Sequence, residues 1–227
     1  MCGRYAIFGP VSRKNRELLE FLDRELAFGP TYNAAPTQQL PVYRVIRGGG
    51  NLALLRWGLI PYWAKNAAIG AKMINARADT LAEKPAFGSA FLRRRCLVPM
   101  TGFYEWKKGG ARNIPHYVHL LNAEIFAAAG LYEFWPGKDG AGPIESFTII
   151  TTEANELMRT LHDRMPVILH EADYAAWLDP QNADTAALEQ LLKPYPAEEM
   201  RAYPVGLGVN SAKNDGPELI LPVRDRD

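Results

Sequence analysis

The chain has 227 residues, 48% of them hydrophobic and 22% charged, with a formal net charge of +1. That is the composition of a globular chain with a sizeable core, and its near-neutral charge excludes a small basic module drawn to nucleic acid by its overall field. Two cysteines, one at position 2 and one at position 96, exclude a disulfide framework and a four-cysteine metal site. Apolar runs free of charge are short, and the N-terminus lacks a basic region followed by an apolar segment. The reading is therefore a cytosolic protein, or a nuclear one in a eukaryote, with no membrane partner and reduced thiols.

In chain order, Ser12 is a plausible N-cap for a helix through about Leu26, since Leu18, Leu19, Leu22 and Leu26 recur at helical spacing. From Leu40 to Trp57, the runs LPVYRVIR and LALLRWG flank the turn Gly48-Gly49-Gly50-Asn51 and read as a hairpin. A second hairpin has the arms RCLVPMTGFYEW and IPHYVHLL, joined at a Lys-Lys-Gly-Gly turn; EIFAAAGLYEF and ESFTIITT continue the strands. Two further helices fall around Ala172 to Leu178 and from about Ala183 to Leu192, the latter followed by Pro194. Helices at the ends with strands between argue for one α+β domain, residues 1–227, with antiparallel or mixed sheets. The glycine-rich turn matches neither phosphate-binding glycine pattern, so no nucleotide or other cofactor is expected, and no metal. The run Arg93 to Arg95 reads as a solvated face, whereas Arg4, Arg56, Arg77 and Arg164 are scattered, so any nucleic-acid site is a local groove.

Cys2 carries the sharpest chemistry. Removal of an initiator methionine before a small residue leaves an amine and a thiol on one residue. An α-amine of pKa about 8 is roughly 10% neutral at pH 7, against roughly 0.04% for a lysine near 10.4, so it is the better Schiff-base nucleophile. Once it condenses with an aldehyde, the adjacent thiol attacks the imine carbon and closes a five-membered thiazolidine. The bland alternative is a small residue in a frayed terminus.

The block Met-Cys-Gly-Arg-Tyr, with YNAAPTQ at 32–38, WGLIPYWAK at 57–65, NARADT at 75–80, LVPMTGFYEW at 97–106, TTEAN at 151–155, LHDRMPVIL at 161–169 and VNSAKNDGPE at 209–218, resembles the SRAP (SOS response-associated peptidase) family. Eight segments in order span nearly the whole chain. The resemblance implies a single domain with a barrel-like pair of mostly antiparallel β-sheets flanked by helices. It implies a monomer that senses abasic sites in single-stranded DNA and cross-links to them through Cys2 after loss of Met1, shielding the lesion. It carries Cys2, Asn75, Glu105 and His162 onto the family's reactive positions, and Arg4, Asn33, Pro36, Trp63, Arg77, Trp106, Thr151 and Arg164 onto its DNA-contacting segments. Asp79 stands where the family often has Glu, and Ser211 lies in a segment usually richer in Asn.

Physical roles fit those positions. Glu105 lies in the apolar and aromatic run Gly102 to Trp106, where desolvation raises a carboxyl pKa and suits it to proton transfer. His162, with an ordinary pKa near 6.5, suits protonation of the sugar ring oxygen as the ring opens, and Asn75 offers a donor and an acceptor. Trp57, Tyr62, Trp63 and Trp106 are candidates for base stacking, with Trp57 assigned to the core and Trp63 to DNA. His116, His119 and His170 read as structural, and Cys96 as a core thiol. The rival readings are an N-terminal-nucleophile cysteine hydrolase, either glutamine amidotransferase-like or a thiol peptidase, and a binding module in which Cys2 is inert.

Overall fold

A computed structural model describes residues 2–8, 29–109, 112–138 and 140–223. The helix expected from Ser12 to Leu26 lies outside the described residues. The chain runs through β1 (Tyr5–Ile7), β2 (Thr31–Ala34), β3 (Gln39–Ile46), β4 (Gly49–Trp57) and β5 (Asn75–Arg77), then α1 (Gly88–Arg93). There follow β6 (Arg95–Met100), β7 (Gly102–Lys107), β8 (Ile114–Leu120), β9 (Phe126–Trp135) and β10 (Ile144–Glu153). The last elements are α2 (Glu156–Arg159), β11 (Arg164–Pro166), β12 (Ile168–Leu169), α3 (Tyr174–Leu178), α4 (Thr185–Gln190) and β13 (Met200–Pro204). The α+β class holds, but α1 and α2 interrupt the strand-rich middle, so the helices are not confined to the ends.

The expected barrel-like pair is corrected to two separate sheets, one antiparallel throughout and one mixed, that are not joined into a barrel. A five-stranded sheet runs β13-β8-β7-β1-β2, and an eight-stranded sheet runs β11-β10-β4-β3-β6-β9-β12 with β5 beside β10. Most pairings are antiparallel, but β10 runs parallel to both β4 and β5, and it also pairs antiparallel with β9. The outer strands β2 and β13 end the small sheet, and β11 and β12 end the path of the large one.

Side-chain alternation explains how the layers pack. Along β6, Cys96, Val98 and Met100 join the core shared with Tyr5, Phe103 and Val118 of the small sheet, whereas Leu97 faces Phe91, Trp177 and Leu188 of the helical layer. A strand buried on both faces reads as a continuous apolar run, which is why RCLVPM lacks a polar face. The sequence run through Trp106 is therefore not one hairpin arm. It switches sheets at Thr101, whose N–H and Oγ1 both donate to the Ala6 carbonyl, at 2.8 and 3.1 Å, and only β7 pairs with β8. The first hairpin is present, with its turn at Arg47-Gly48. Both residues have positive φ (52° and 78°), the two-residue geometry that matches strand twist.

The arginine run is not a uniform solvated face. Arg93 is exposed, Arg94 pairs with Glu133 at 2.8 Å, and Arg95 is buried at 3% exposure. Arg95 donates to the carbonyls of Phe91 and Leu92 at the end of α1, of Trp177 near the end of α3, and of Asp179 and Asn182 beyond it. Helix ends leave such carbonyls without intrahelical donors, and one guanidinium satisfies both ends while stacking on Trp177. Burial lowers its pKa, yet it stays protonated. Arg95→Met should therefore lower the unfolding free energy by about 3 kcal/mol or more, because buried acceptors lose their donor. Urea denaturation of both proteins checks this, and an unchanged midpoint would show that water replaces the guanidinium without loss.

Candidate functional site

Cys2 sits just before β1, which pairs antiparallel with β7: Tyr5 lies opposite Phe103 and Ala6 opposite Gly102. The Tyr104 N–H donates to the Arg4 carbonyl at 3.0 Å, so the ladder continues toward the terminus and brings residue 2 toward Glu105. Odd-numbered residues of β7 face the inter-sheet core, which points the Glu105 side chain inward beside Phe103, on the face away from Tyr104. From the large sheet, Asn75 at the head of β5 reaches across, its Nδ2 donating to the Cys2 carbonyl at 2.9 Å. Asn75 is placed there by the parallel ladder that sets it opposite Ile149.

Three elements thus converge on Cys2, which is 1% exposed. Burial, reinforced by the nearby Glu105 carboxylate, pushes the Cys2 thiol well above its ordinary pKa, so it is protonated at neutral pH. The Asn75 Oδ1 is buried and has no hydrogen-bond partner among the described residues. His162 completes the group, its Nδ1 lying 3.9 Å from Glu105 Oε1. The His162 side chain is 30% exposed against 3% for Glu105, so the cluster opens to solvent on the histidine side.

Two neighbours compete for the His162 Nδ1: the Arg164 N–H donates to it at 2.9 Å, and Asp163 Oδ1 lies 2.8 Å away. One nitrogen cannot accept and donate at once. A neutral ring accepting from Arg164 carries its proton on Nε2, and a protonated ring gains Asp163 as a counter-charge.

Beyond His162 lies a polar cavity of about 620 Å³, lined by Arg77, Asp79, Glu153, Asp163, Arg164 and Glu189 among others. Strand β10 organises it, with Arg77 on β5 opposite Thr151 and Arg164 on β11 opposite Glu153. Arg77 grips Asp79 with two bonds, Nε to Oδ1 at 3.0 Å and Nη2 to Oδ2 at 2.6 Å, which holds the Asp79 carboxyl below its ordinary pKa. The Arg164 Nη2 donates to the Thr151 carbonyl and lies 3.7 Å from Asp79 Oδ1. Thr151 itself is fully buried.

On the other side of the small sheet, Arg4 donates to Asn33 Oδ1 at 3.2 Å and to the Val209 carbonyl at 2.8 Å. Asn33 is 1% exposed, and its amide holds the loop 209–214 by donating to the carbonyls of Val209, Ser211 and Asn214. Trp106 Nε1 donates to Asn210 Oδ1 of the same loop at 2.8 Å. Pro36 lies in the half-buried turn after β2, and Trp63 stands 43% exposed beside Tyr62. Trp57 is fully buried with its indole N–H on the Ile74 carbonyl, and Cys96 is fully buried, as read from the sequence. The structure therefore gathers Cys2, Asn75, Glu105 and His162, sets Arg77 and Arg164 beside them, and ties Arg4, Asn33 and Trp106 to one loop. The tie between Asn33 and that loop was not anticipated. Its one signal in the sequence is that VNSAKNDGPE, like YNAAPTQ, is rich in small and amide residues outside the helices and long strands.

The SOS response associated peptidase (SRAP) family model matches residues 1–212. Among curated proteins, the chain is 47% identical to the abasic site processing protein YoqW of Bacillus subtilis, over 97% of this chain and 99% of that protein. It is 31% identical to the abasic site processing protein HMCES of Gallus gallus, over 98% of this chain and 78% of that one. Among solved structures, a protein from Bacteroides thetaiotaomicron superposes with a TM-score of 0.84 at 29% identity, covering 98% of this chain and all of the other. With a family model spanning all thirteen strands and the reactive cluster alike, and relatives matched over almost their whole length, the chain belongs to the SRAP family.

Proposed function

We propose that this protein senses abasic sites in single-stranded DNA and captures them as a covalent thiazolidine on Cys2, once Met1 has been removed. The observation that carries the reading is the convergence of Asn75, Glu105 and His162 on residue 2. The abasic site processing proteins of Bacillus subtilis and Gallus gallus support the choice of substrate.

The steps follow from the groups present. An abasic sugar exists mainly as a closed ring; the protonated ring of His162 gives a proton to the ring oxygen as the C1–O bond breaks, and the proton lost by the anomeric hydroxyl as the aldehyde forms returns to the imidazole through water. The freed amine of Cys2 attacks the aldehyde carbon, with Asn75 Oδ1 as acceptor for the amine and Glu105 moving the proton. Loss of the hydroxyl as water gives the imine. The Cys2 thiol, protonated because it is buried, then adds through sulfur to the imine carbon while its proton passes by way of Glu105 to the imine nitrogen. The ring closes with no oxidant or reductant consumed. A buried nucleophile also suits the lesion: a sugar without its base is slim enough to reach it, and an intact nucleotide is not. Arg77 and Arg164 hold the flanking backbone phosphates, and exposed Trp63 offers a stacking face.

Glu105→Gln and His162→Ala should slow cross-linking to an abasic oligonucleotide by about 10² to 10⁴-fold while non-covalent binding persists. Timed denaturing gels measure this, and parent rates in both variants would remove these residues from the chemistry. Amine and thiol contributions separate as well. Cys2→Ser and Cys2→Ala should give only an imine that borohydride traps, a chain with an uncleavable residue before Cys2 should give neither product, and the parent should give a heat-stable adduct without reductant. Intact mass spectrometry distinguishes the products, and efficient cross-linking by the N-terminally blocked chain would sink the mechanism.

A further inference from the structure

The cavity next to His162 is poorly suited to hold DNA tightly. Its two guanidiniums, Arg77 and Arg164, face four carboxylates, Asp79, Glu153, Asp163 and Glu189. Among the described residues, Asp79 makes direct contact with both cations: it takes two hydrogen bonds from Arg77 and lies 3.7 Å from Arg164. A carboxylate in that position offers the planar pair of oxygens that a backbone phosphate would offer to the same guanidinium. The Nε and Nη2 edge of Arg77, the edge best suited to bidentate contact, is therefore already occupied.

We infer that Asp79 is an internal phosphate mimic that competes with the DNA backbone for Arg77 and so sets a deliberately weak non-covalent affinity for undamaged single strands. This rests on the abasic-site reading above, and it deepens that reading by assigning where discrimination arises. Tight grip on any single strand would strand the protein on intact DNA. With Asp79 in place, intact strands leave, and retention depends on the aldehyde that only the lesion supplies. Asp79 lies on a short turn after β5 and is half-exposed, so its carboxylate is free to yield Arg77 to a phosphate without disturbing the core.

The test is binding of the full-length protein to a labelled undamaged oligothymidine by fluorescence anisotropy, across a salt series. Asp79→Asn keeps the shape of the side chain and removes its charge. It should tighten binding by about three- to fivefold at low salt, the effect of one unit charge a few ångströms from a phosphate near a solvated surface. Its slope of log K against log salt should steepen by about 0.7, since one more cation is released to neutralise a phosphate. In an Arg77→Ala background the same change should gain less than about twofold, because the contested partner is gone. Weaker binding by Asp79→Asn would mean that Asp79 orients Arg77 for DNA, and unchanged binding that it does not compete; either overturns the inference. An equal gain with and without Arg77 overturns it too, by showing a long-range charge effect. A parent that neither binds single strands nor cross-links abasic ones would instead overturn the function on which this rests.

Discussion

The short antiparallel ladder between β1 and β7 determines where residue 2 lies, and with it everything the site can do. Tyr5 opposite Phe103, and Tyr104 bonded to the Arg4 carbonyl, leave the chain no freedom to place Cys2 anywhere but beside Glu105. N-terminal residues are usually frayed, and a reactive amine on a frayed terminus would meet its substrate in random orientations. Here the segment before β1 extends the strand, and the Cys2 carbonyl is held from the opposite sheet by Asn75. Both sheets thus contribute one hydrogen-bonding anchor each, and their separation, set by the core of Tyr5, Trp57, Phe103 and Phe147, becomes the width of the site.

The same design separates reactivity from recognition. The nucleophile and Glu105 are buried, where a neutral thiol is favoured and water is scarce, whereas His162 stands at the boundary and Arg77 beyond it is half-exposed. Strand β10 links the two zones, because β5 on one edge delivers Asn75 and Arg77, and β11 on the other delivers Arg164. Neighbouring positions on one strand therefore serve different ends: Asn75 faces Cys2, and two residues on, Arg77 faces the cavity. Charge in that outer zone is balanced by carboxylates, in keeping with a chain whose net charge is +1.

Arginine illustrates how context decides what a residue does. Arg93, Arg94 and Arg95 are consecutive and chemically identical, yet one is exposed, one pairs with Glu133 and one is buried against main-chain carbonyls at two helix ends. A charge run is usually a solvated face, but Arg95 begins a strand buried on both sides, and the helix ends packed there supply acceptors in place of water.

Much of this protein was legible before any coordinates. The reactive chemistry of Cys2 follows from covalent structure alone, since amine and thiol share one residue wherever it lies. The first hairpin, the helices near residues 174–178 and 185–190, and the burial of Trp57 and Cys96 follow from local pattern and apolar character. The ordered motifs pointed to the family, and hence to Asn75, Glu105 and His162 as partners of Cys2. What local pattern does not contain is which strands become neighbours. The RCLVPMTGFYEW run reads as one strand, but Thr101 bonds to Ala6, 95 residues away, and splits it between two sheets. The division of the strands into two separate sheets, the burial of Arg95, the commitment of Asn33 to the loop at 209–214, and the placing of Asp79 between two arginines are likewise decided by contacts between distant segments. Those contacts depend on the relative positions of whole layers, which only the packed core specifies, whereas the chemistry of a terminal cysteine and the period of a strand are carried by neighbouring residues.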